Sequence, residues 1–392
     1  MTKKAIRYAK KLFFVYNFAL KAKTQLHCQK IWITNNNAIL FFVSLTTFMR
    51  LSLLPISFLY AIALKTRHKM FDLGILRPMV WDTPTICIGN LELGGTGKTP
   101  LTEYLVKMLM TDYRVAIISG GYKRKSKEIV VANEHTTLDE LGDEPMQYHR
   151  NFGNKVSVAV GKERCQVVEK LLRETPVDVI IFDDAFQHRK IKAGLNILTT
   201  NFLNPFTDNH LVPAGTLRDL RSRAKAADII IVNKTPDDAT DEQKKLLRQK
   251  IAQNVSQKVF FASIYYGDPE ACNEAATKAL ASDNSDTVAL CGIAQPDYFV
   301  NYLETKFKVT DKLIFRDHHD FSKDDIENIK KACGKDKIII TTEKDAVRLT
   351  NNPYFSTLKE TPIYFIPIEV GFDENEASQI KKEITSYVTK DK

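Results

Sequence analysis

The chain has 392 residues, 44% of them apolar and 26% charged, which is enough apolar material for two ordinary domains with cores of their own. Its net charge of +9 is concentrated at one end: residues 1–71 hold 12 Lys and Arg and no acid, leaving 44 basic against 47 acidic residues in the rest. That excludes a basic body of the kind that tracks nucleic acid, and the scattered cysteines, with no C-x-x-C pair, exclude a thiolate zinc site or a disulfide framework and fit a reducing compartment.

Residues 1–37 mix lysines with aromatics, and two apolar runs follow at 38–48 and 51–64, split by Met49-Arg50 and interrupted by Pro55. Together they are long enough to cross a bilayer, but Arg50 near mid-membrane would cost roughly 2.5–3.5 kcal/mol. The expectation is therefore an interfacial, membrane-associating helix around 51–64, flanked by Arg50, Lys65, Arg67 and Lys69, with a single span as the other reading. No small-residue cleavage site follows a compact apolar core, so this is not a removable signal. Residues 1–48 read as a basic, apolar extension, with Met49 as a second candidate start.

From residue 84 short apolar runs alternate with helical stretches. Strands are expected at 84–88, 115–119, 156–160, 177–182, 195–199 and 229–232, and helices at 98–110, 143–152 and 161–174. This is the pattern of an α/β protein with an open, mostly parallel sheet, whose ligands collect at the carboxyl ends of the strands. A polar stretch, 270–286, marks a boundary. A second alternation then follows: strands 287–291, 312–316, 337–341 and 363–369, with helices 297–306, 323–333 and 373–388. The expected division is an extension at 1–48, a nucleotide-binding domain at 49–276 and a smaller α/β domain at 277–392.

The first strand runs into Gly89-Asn90-Leu91-Glu92-Leu93-Gly94-Gly95-Thr96-Gly97-Lys98-Thr99-Pro100, and Leu101, Leu105 and Leu109 continue at helical spacing. Strand, glycine-rich turn, then helix is the setting of a P-loop of the NTPase type. Glycines let backbone N–H groups converge on a phosphate, the lysine reaches the β- and γ-phosphates, and the Thr99 hydroxyl holds Mg²⁺. The match is imperfect, because Glu92 stands where the template has its first glycine.

Val179–Phe182 ends in Asp183-Asp184, the arrangement in which a strand-end carboxylate organises Mg²⁺, and Gln187-His188 follow. Asp143 and Glu144 open a helix; Asp143 is either its N-cap or a general base, with Glu144 near the metal. Ser119-Gly120-Gly121-Tyr122-Lys123-Arg124 is a glycine turn leading to a basic cluster that contacts nucleotide or acidic substrate, or is solvated. Pro213-Ala214-Gly215-Thr216-Leu217-Arg218-Asp219 brings arginine suited to phosphate, or a solvated face. Arg316-Asp317-His318-His319-Asp320 lacks metal-ligand spacing and reads better as an Asp–His pair tuning a catalytic group. Glu343-Lys344-Asp345 reads as the charged end of a strand at the domain interface.

Taken in order, the motifs at 89–100, 142–145, 183–188, 213–218, 317–319 and 342–346 make the chain resemble the tetraacyldisaccharide 4'-kinases of the lipid A pathway, from about residue 50 onward. The resemblance implies transfer of the ATP γ-phosphate to the 4'-hydroxyl of a lipid disaccharide at the cytoplasmic face of the inner membrane, with Mg²⁺ required. No nucleic acid or obligate protein partner is expected. Carried onto this chain it makes 92–99 the phosphate loop, Lys98 and Asp143 catalytic, and His318 the partner of Asp143 with Asp317 behind it. Thr99, Asp183, Asp184 and Glu144 would serve the metal; Gln187, His188, Arg218, Asp219, Tyr122 and Arg124 would line the substrate side. The chain departs from the family pattern at Gly120 and Lys123, at Ala185 and at Asp219, where arginine, glycine, glycine and glutamate are usual.

Overall fold

The structure, a computed structural model, describes residues 36–279, 285–334 and 336–390; the extension from 1 to 35 lies outside them. The first described element is the helix Asn36–Asp72, 37 residues and about 55 Å long. Its buried positions Leu53, Ser57, Leu64, His68 and Phe71 recur at intervals of three, four or seven residues and make one stripe, which is nailed to the loop at 210–220. The Ser57 hydroxyl donates to Leu211 O (2.9 Å), the Tyr60 hydroxyl to Arg218 O (2.9 Å), and His68 Nε2 pairs with Asp219 (2.7 Å). The other stripe leaves Leu54, Ile56, Phe58, Leu59 and Ile62 exposed. No helix among the described residues is long and apolar enough to cross a membrane.

The main sheet has eight strands in the order β3-β4-β2-β5-β1-β6-β7-β8. These are β1 (Thr85–Asn90), β2 (Val115–Ser119), β3 (Val130–Val131), β4 (Ser157–Val160), β5 (Val179–Asp183), β6 (Leu195–Asn201), β7 (Ile229–Asn233) and β8 (Lys258–Phe261). All neighbours are parallel except β3 with β4. The central strands are buried throughout, which is why they read as unbroken apolar runs. Strands run to one side of β1 up to β5 and to the other side from β6 onward, so β1 flanks the switch point where a crevice opens.

The chain then enters an antiparallel ribbon of β9 (Ser263–Tyr266) with β15 (Ile368–Gly371). Between those two strands lies a second sheet, ordered β10-β14-β13-β11-β12: β10 (Glu270–Ala271), β11 (Asp286–Cys291), β12 (Lys308–Ile314), β13 (Ile338–Thr342) and β14 (Ile363–Ile366). The expected strand at 363–369 is thus two strands broken at Pro367, where a ladder donor is missing. The polar stretch expected to be linker contains β10 and the short helix Glu274–Ala279.

The division expected at 277–392 needs correction at its end. The helix Glu374–Lys390 packs on the main sheet, not the second one: Ile380, Ile384 and Val388 join the core built by Leu101, Leu105, Tyr148 and Phe152, and the Tyr387 hydroxyl accepts from Thr85 N (3.0 Å). The second sheet is therefore entered and left through the same ribbon.

Candidate active site

β1 delivers Asn90 to the crevice, and the loop beyond it turns on Gly95 and Gly97, at φ 73° and 76°, a left-handed backbone that a side chain disfavours. Gly97 has a second reason to be glycine: a Cβ there would stand 2.8 Å from Asn233 Nδ2. The helix Lys98–Leu109 begins at once, so its free N–H groups face the loop. Lys98 Nζ donates to Asn90 Oδ1 (3.1 Å) and lies 3.6 Å from Asp184 Oδ1. Asn90 Nδ2 donates to Thr96 Oγ1 (2.8 Å), which bonds Thr199 across to β6 (2.9 Å).

Glu92, in the place of the missing glycine, is buried and forms a lone bridge to Leu217, and Leu93 N donates to Thr216 O (3.0 Å). Burial pushes the Glu92 carboxyl up to about 7. These two residues strap the loop to the 210–220 segment, while Gly94 to Thr99 form the turn that leads into the helix Lys98–Leu109. Leu93 is half exposed.

Asp183 and Asp184 end β5 beside this turn. Asp184 has a left-handed backbone, and Arg218 clasps its carboxylate, one bond measuring 3.0 Å. Burial would raise the Asp184 pKa, but Lys98 and Arg218 outweigh it and hold it well below the usual carboxylate range. Asp183 has the opposite fate. Burial, then the charge of Asp184, pushes it up to about 7, and its Oδ1 has no hydrogen-bond partner among the described residues. A buried, uncompensated carboxylate oxygen next to a phosphate loop is what a divalent cation would satisfy, so the residues present fit Mg²⁺.

Asp143 is the first residue of the helix Asp143–Phe152, but Gly142 holds the cap position and no side chain caps the end. The capping alternative therefore falls. The carboxylate turns instead to the second sheet, where its Oδ2 bonds His318 Nδ1 (2.7 Å) and Arg348 Nε (2.8 Å). Burial opposes ionisation, yet the His318 bond and Arg348 bring the Asp143 pKa down to about 2. His318 has φ 54°, its N–H donates to Gly292 O (3.2 Å), its carbonyl accepts from Lys123 Nζ (2.8 Å), and the Tyr122 ring meets it edge-on at 4.9 Å. Its Nε2 faces Lys344 Nζ at 3.0 Å, with Asp317 farther off at 3.9 Å. An ammonium can only donate, so Nε2 is the acceptor there, and Nδ1 carries the proton given to Asp143. His319, one residue on, pairs with Asp325 (2.9 Å) outside the cleft.

Other expected residues are placed differently. Glu144 forms an ion pair with Lys344 (2.7 Å), so it enters the site already compensated rather than as a bare metal ligand. Asp219 does not reach the cleft: it is buried 151 residues from its partner His68 and anchors the long helix. Gln187 Nε2 donates to Asn90 O, and Arg124 Nη1 to Glu140 O (3.3 Å), which braces the turn at 142. His188 Nε2 accepts from Arg164 Nη1 (2.7 Å); burial, then Arg164, lowers it to about 4, so it is neutral.

Arg164, Lys344 and Arg348 are the residues sequence reasoning missed. Arg164 is buried and also donates to Asp184 O (3.1 Å). Lys344 and Arg348 lie on the helix Glu343–Thr350, where a strand end was expected; the Thr342 side chain caps it by accepting from Asp345 N (3.2 Å). The Thr-x-x-Asp spacing at 342–345 was the available signal.

The chain matches the family model described as tetraacyldisaccharide-1-P 4'-kinase over residues 49–385. It is 40% identical over 354 residues to the tetraacyldisaccharide 4'-kinase of Bacteroides thetaiotaomicron, covering 86% of this chain and 92% of that one. With the enzyme of that name from Flavobacterium psychrophilum it shares 38% identity over 344 residues, 87% of this chain and 97% of the other. Among solved structures it is similar to LpxK from Aquifex aeolicus in complex with ATP, at a TM-score of 0.65 and 27% identity, covering 87% of this chain and 99% of that one.

Proposed function

The chain belongs to the tetraacyldisaccharide-1-phosphate 4'-kinase family, and from that premise we propose how its cleft carries the reaction. It is an ATP-dependent kinase of lipid A biosynthesis, transferring the γ-phosphate to the 4'-hydroxyl of a tetraacylated disaccharide 1-phosphate to form lipid IV A. The observation that carries the residue assignment is the 2.7 Å Asp143–His318 bond, which joins the helix Asp143–Phe152 to the segment that follows β12 in the second sheet.

In this reading Gly94–Thr99 cradle the β- and γ-phosphates and Lys98 follows the charge of the transferring group. Asp143 accepts the proton of the 4'-hydroxyl, and His318 fixes its orientation, held in one tautomer by Lys344. Arg348 ties the same carboxylate to the second sheet. Arg218 and Arg164 position the Asp183-Asp184 turn. Mg²⁺, held by Thr99 and Asp183 with Asp184 alongside, would neutralise charge on the phosphates. Because base and partner come from different sheets, the cleft is complete only with the two sheets together, which keeps water from competing for the phosphoryl group. Incubating the chain with ATP, Mg²⁺ and the tetraacyl disaccharide should yield the bis-phosphorylated lipid. ATP hydrolysis without lipid product would overturn the reading in favour of a nucleotide-driven switch.

The membrane side of the proposal rests on the exposed stripe Leu54, Ile56, Phe58, Leu59 and Ile62 with Lys65, Arg67 and Lys69 beyond it. Such a helix lies in the interface, apolar face down, on the cytoplasmic side of the inner membrane. Phe58→Asp combined with Leu59→Asp should weaken binding to anionic vesicles by about tenfold or more, at roughly 1.5–3 kcal/mol per large apolar side chain. Unchanged vesicle partitioning would sink the interfacial role.

A further inference from the structure

We propose that Glu103, Asn151 and Glu343 are positioning residues for phosphoryl transfer, a junction that fixes the helix of Asp143 against both the helix of the phosphate loop and the helix of Lys344 and Arg348. This rests on the reading of Asp143 as the base.

Three helices meet at this junction. The helix Asp143–Phe152 carries the base at its first residue and Asn151 about 12 Å farther along. Asn151 Nδ2 donates to Glu103 Oε1 (3.1 Å) and to Glu343 Oε1 (2.6 Å), and Gln147 Nε2 gives Glu103 Oε1 a second bond (3.0 Å). Glu103 lies on the helix Lys98–Leu109, and Glu343 opens the helix Glu343–Thr350 of the second sheet. The base's helix is thus gripped twice by that second-sheet helix, at Asp143 by Arg348 (2.8 Å) and at Asn151 by Glu343. One contact lets a helix pivot; two fix the direction in which its first carboxylate points. Asn151 reaches in from the surface, while Glu103, Gln147 and Glu343 are buried.

Two buried carboxyl groups that share the hydrogens of one amide nitrogen cannot both ionise cheaply. The charges around them do not remove the conflict. Lys107 faces both but is paired with Glu369, and Glu343 has Arg150 on one side and Glu270 on the other. Burial, then the charge of Glu343, pushes Glu103 up to about 8, and burial raises Glu343 as well, so at neutral pH the pair keeps one proton, held by Glu103. Glu103 also borders a groove of about 510 Å³ with Tyr104, Lys107 and Glu369, which gives that proton a route to water. As pH rises through about 8 the proton leaves, two anions face each other across Asn151, and the grip on the far end of the base's helix loosens. Asp143 stays ionised but loses its aim.

The test follows lipid product formed per second by the full chain at saturating ATP, Mg²⁺ and lipid, from about pH 6.5 to about pH 9.5. The unmodified protein should lose turnover about five- to tenfold as Glu103 ionises, the worth of one buried hydrogen bond. Glu103→Ala should show a loss of that size already at neutral pH. Glu103→Gln, which has the shape of the protonated carboxyl and cannot ionise, should recover most of it and show no alkaline fall. Asn151→Ala should also lose about five- to tenfold, yet nothing further when combined with Asp143→Asn, because its effect runs through the base. An alkaline fall that persists in Glu103→Gln, or an Asn151→Ala loss of the same factor with and without Asp143→Asn, would overturn the junction. Glu103→Gln is isosteric, so its pH profile decides even where an alanine variant fails to fold. Asp143→Asn alone separates the two readings. Near-normal turnover would bring down the base and the junction together; a large loss beside an unchanged Glu103→Gln pH profile would bring down the junction only.

Discussion

Lys98→Ala is expected to reduce lipid phosphorylation by at least about 10²-fold, the scale on which one well-placed charge contributes to a transition state. The Lys98 side chain is largely buried, and its ammonium donates to Asn90 Oδ1 at 3.1 Å and pairs with Asp184 Oδ1 at 3.6 Å. Both partners have other ligands: Asn90 bonds Thr96, and Asp184 bonds Arg218. Losing the lysine therefore removes the mobile charge of the cradle without dismantling its walls. The melting temperature should change little while turnover collapses. A variant that turns over at near the normal rate would show that the phosphates are bound elsewhere.

The second large effect is expected at the dyad. Asp143→Asn keeps the shape of the side chain but cannot accept the hydroxyl proton, and a loss of about 10²–10⁴-fold in turnover follows from the usual worth of a positioned base. A carboxylate brought down to about 2 is a weak base at equilibrium. In phosphoryl transfer that is tolerable, because the transition state is loose and the acceptor hydroxyl surrenders its proton late. What matters more is that the carboxylate is ionised and immobile at working pH. His318→Ala removes the restraint, so its loss should fall mainly on turnover and leave the ATP KM nearly unchanged. The two substitutions act on one unit, and together they should cost less than the sum of their separate effects. Measured as lipid product formed per second, strictly additive or small losses would refute a dyad. Because Gly142 occupies the cap position, a large effect of Asp143→Asn cannot be blamed on a lost helix cap.

How much of this was legible in the sequence depended on how local the signal was. The buried strands of the main sheet are apolar on both faces and read as such; β2 at 115–119 and the helix at 143–152 fall where the pattern put them. The cradle 94–99 and the acid pair 183–184 carry their own spacing. Asp219 shows where that legibility stops. It follows Arg218 in a motif, and adjacency suggested a shared task, but its partner His68 is 151 positions away and nothing in the local pattern encodes the pairing. Lys344 and Arg348 were lost because an apolar strand and a capped helix meet at Thr342 without a break. The helix at 374–390 falls where a helix was expected, at 373–388, yet its stripe of Ile380, Ile384 and Val388 fits either sheet, and the choice is made by the β9–β15 ribbon that returns the chain.

That return has a consequence for how the protein is made. Residues 85–261 supply every strand of the main sheet, but one face of it is covered by the helix Glu374–Lys390, which leaves the ribosome after all the other described elements. The larger unit cannot close as soon as its own strands have been synthesised. It must wait, with the β8 side of its core lacking the helix that packs there, while about a hundred residues of the inserted sheet are added at some 5–20 residues per second. For that interval of several seconds the nascent chain carries an exposed apolar face, and the smaller sheet, finished first, is the one free to fold while synthesis continues.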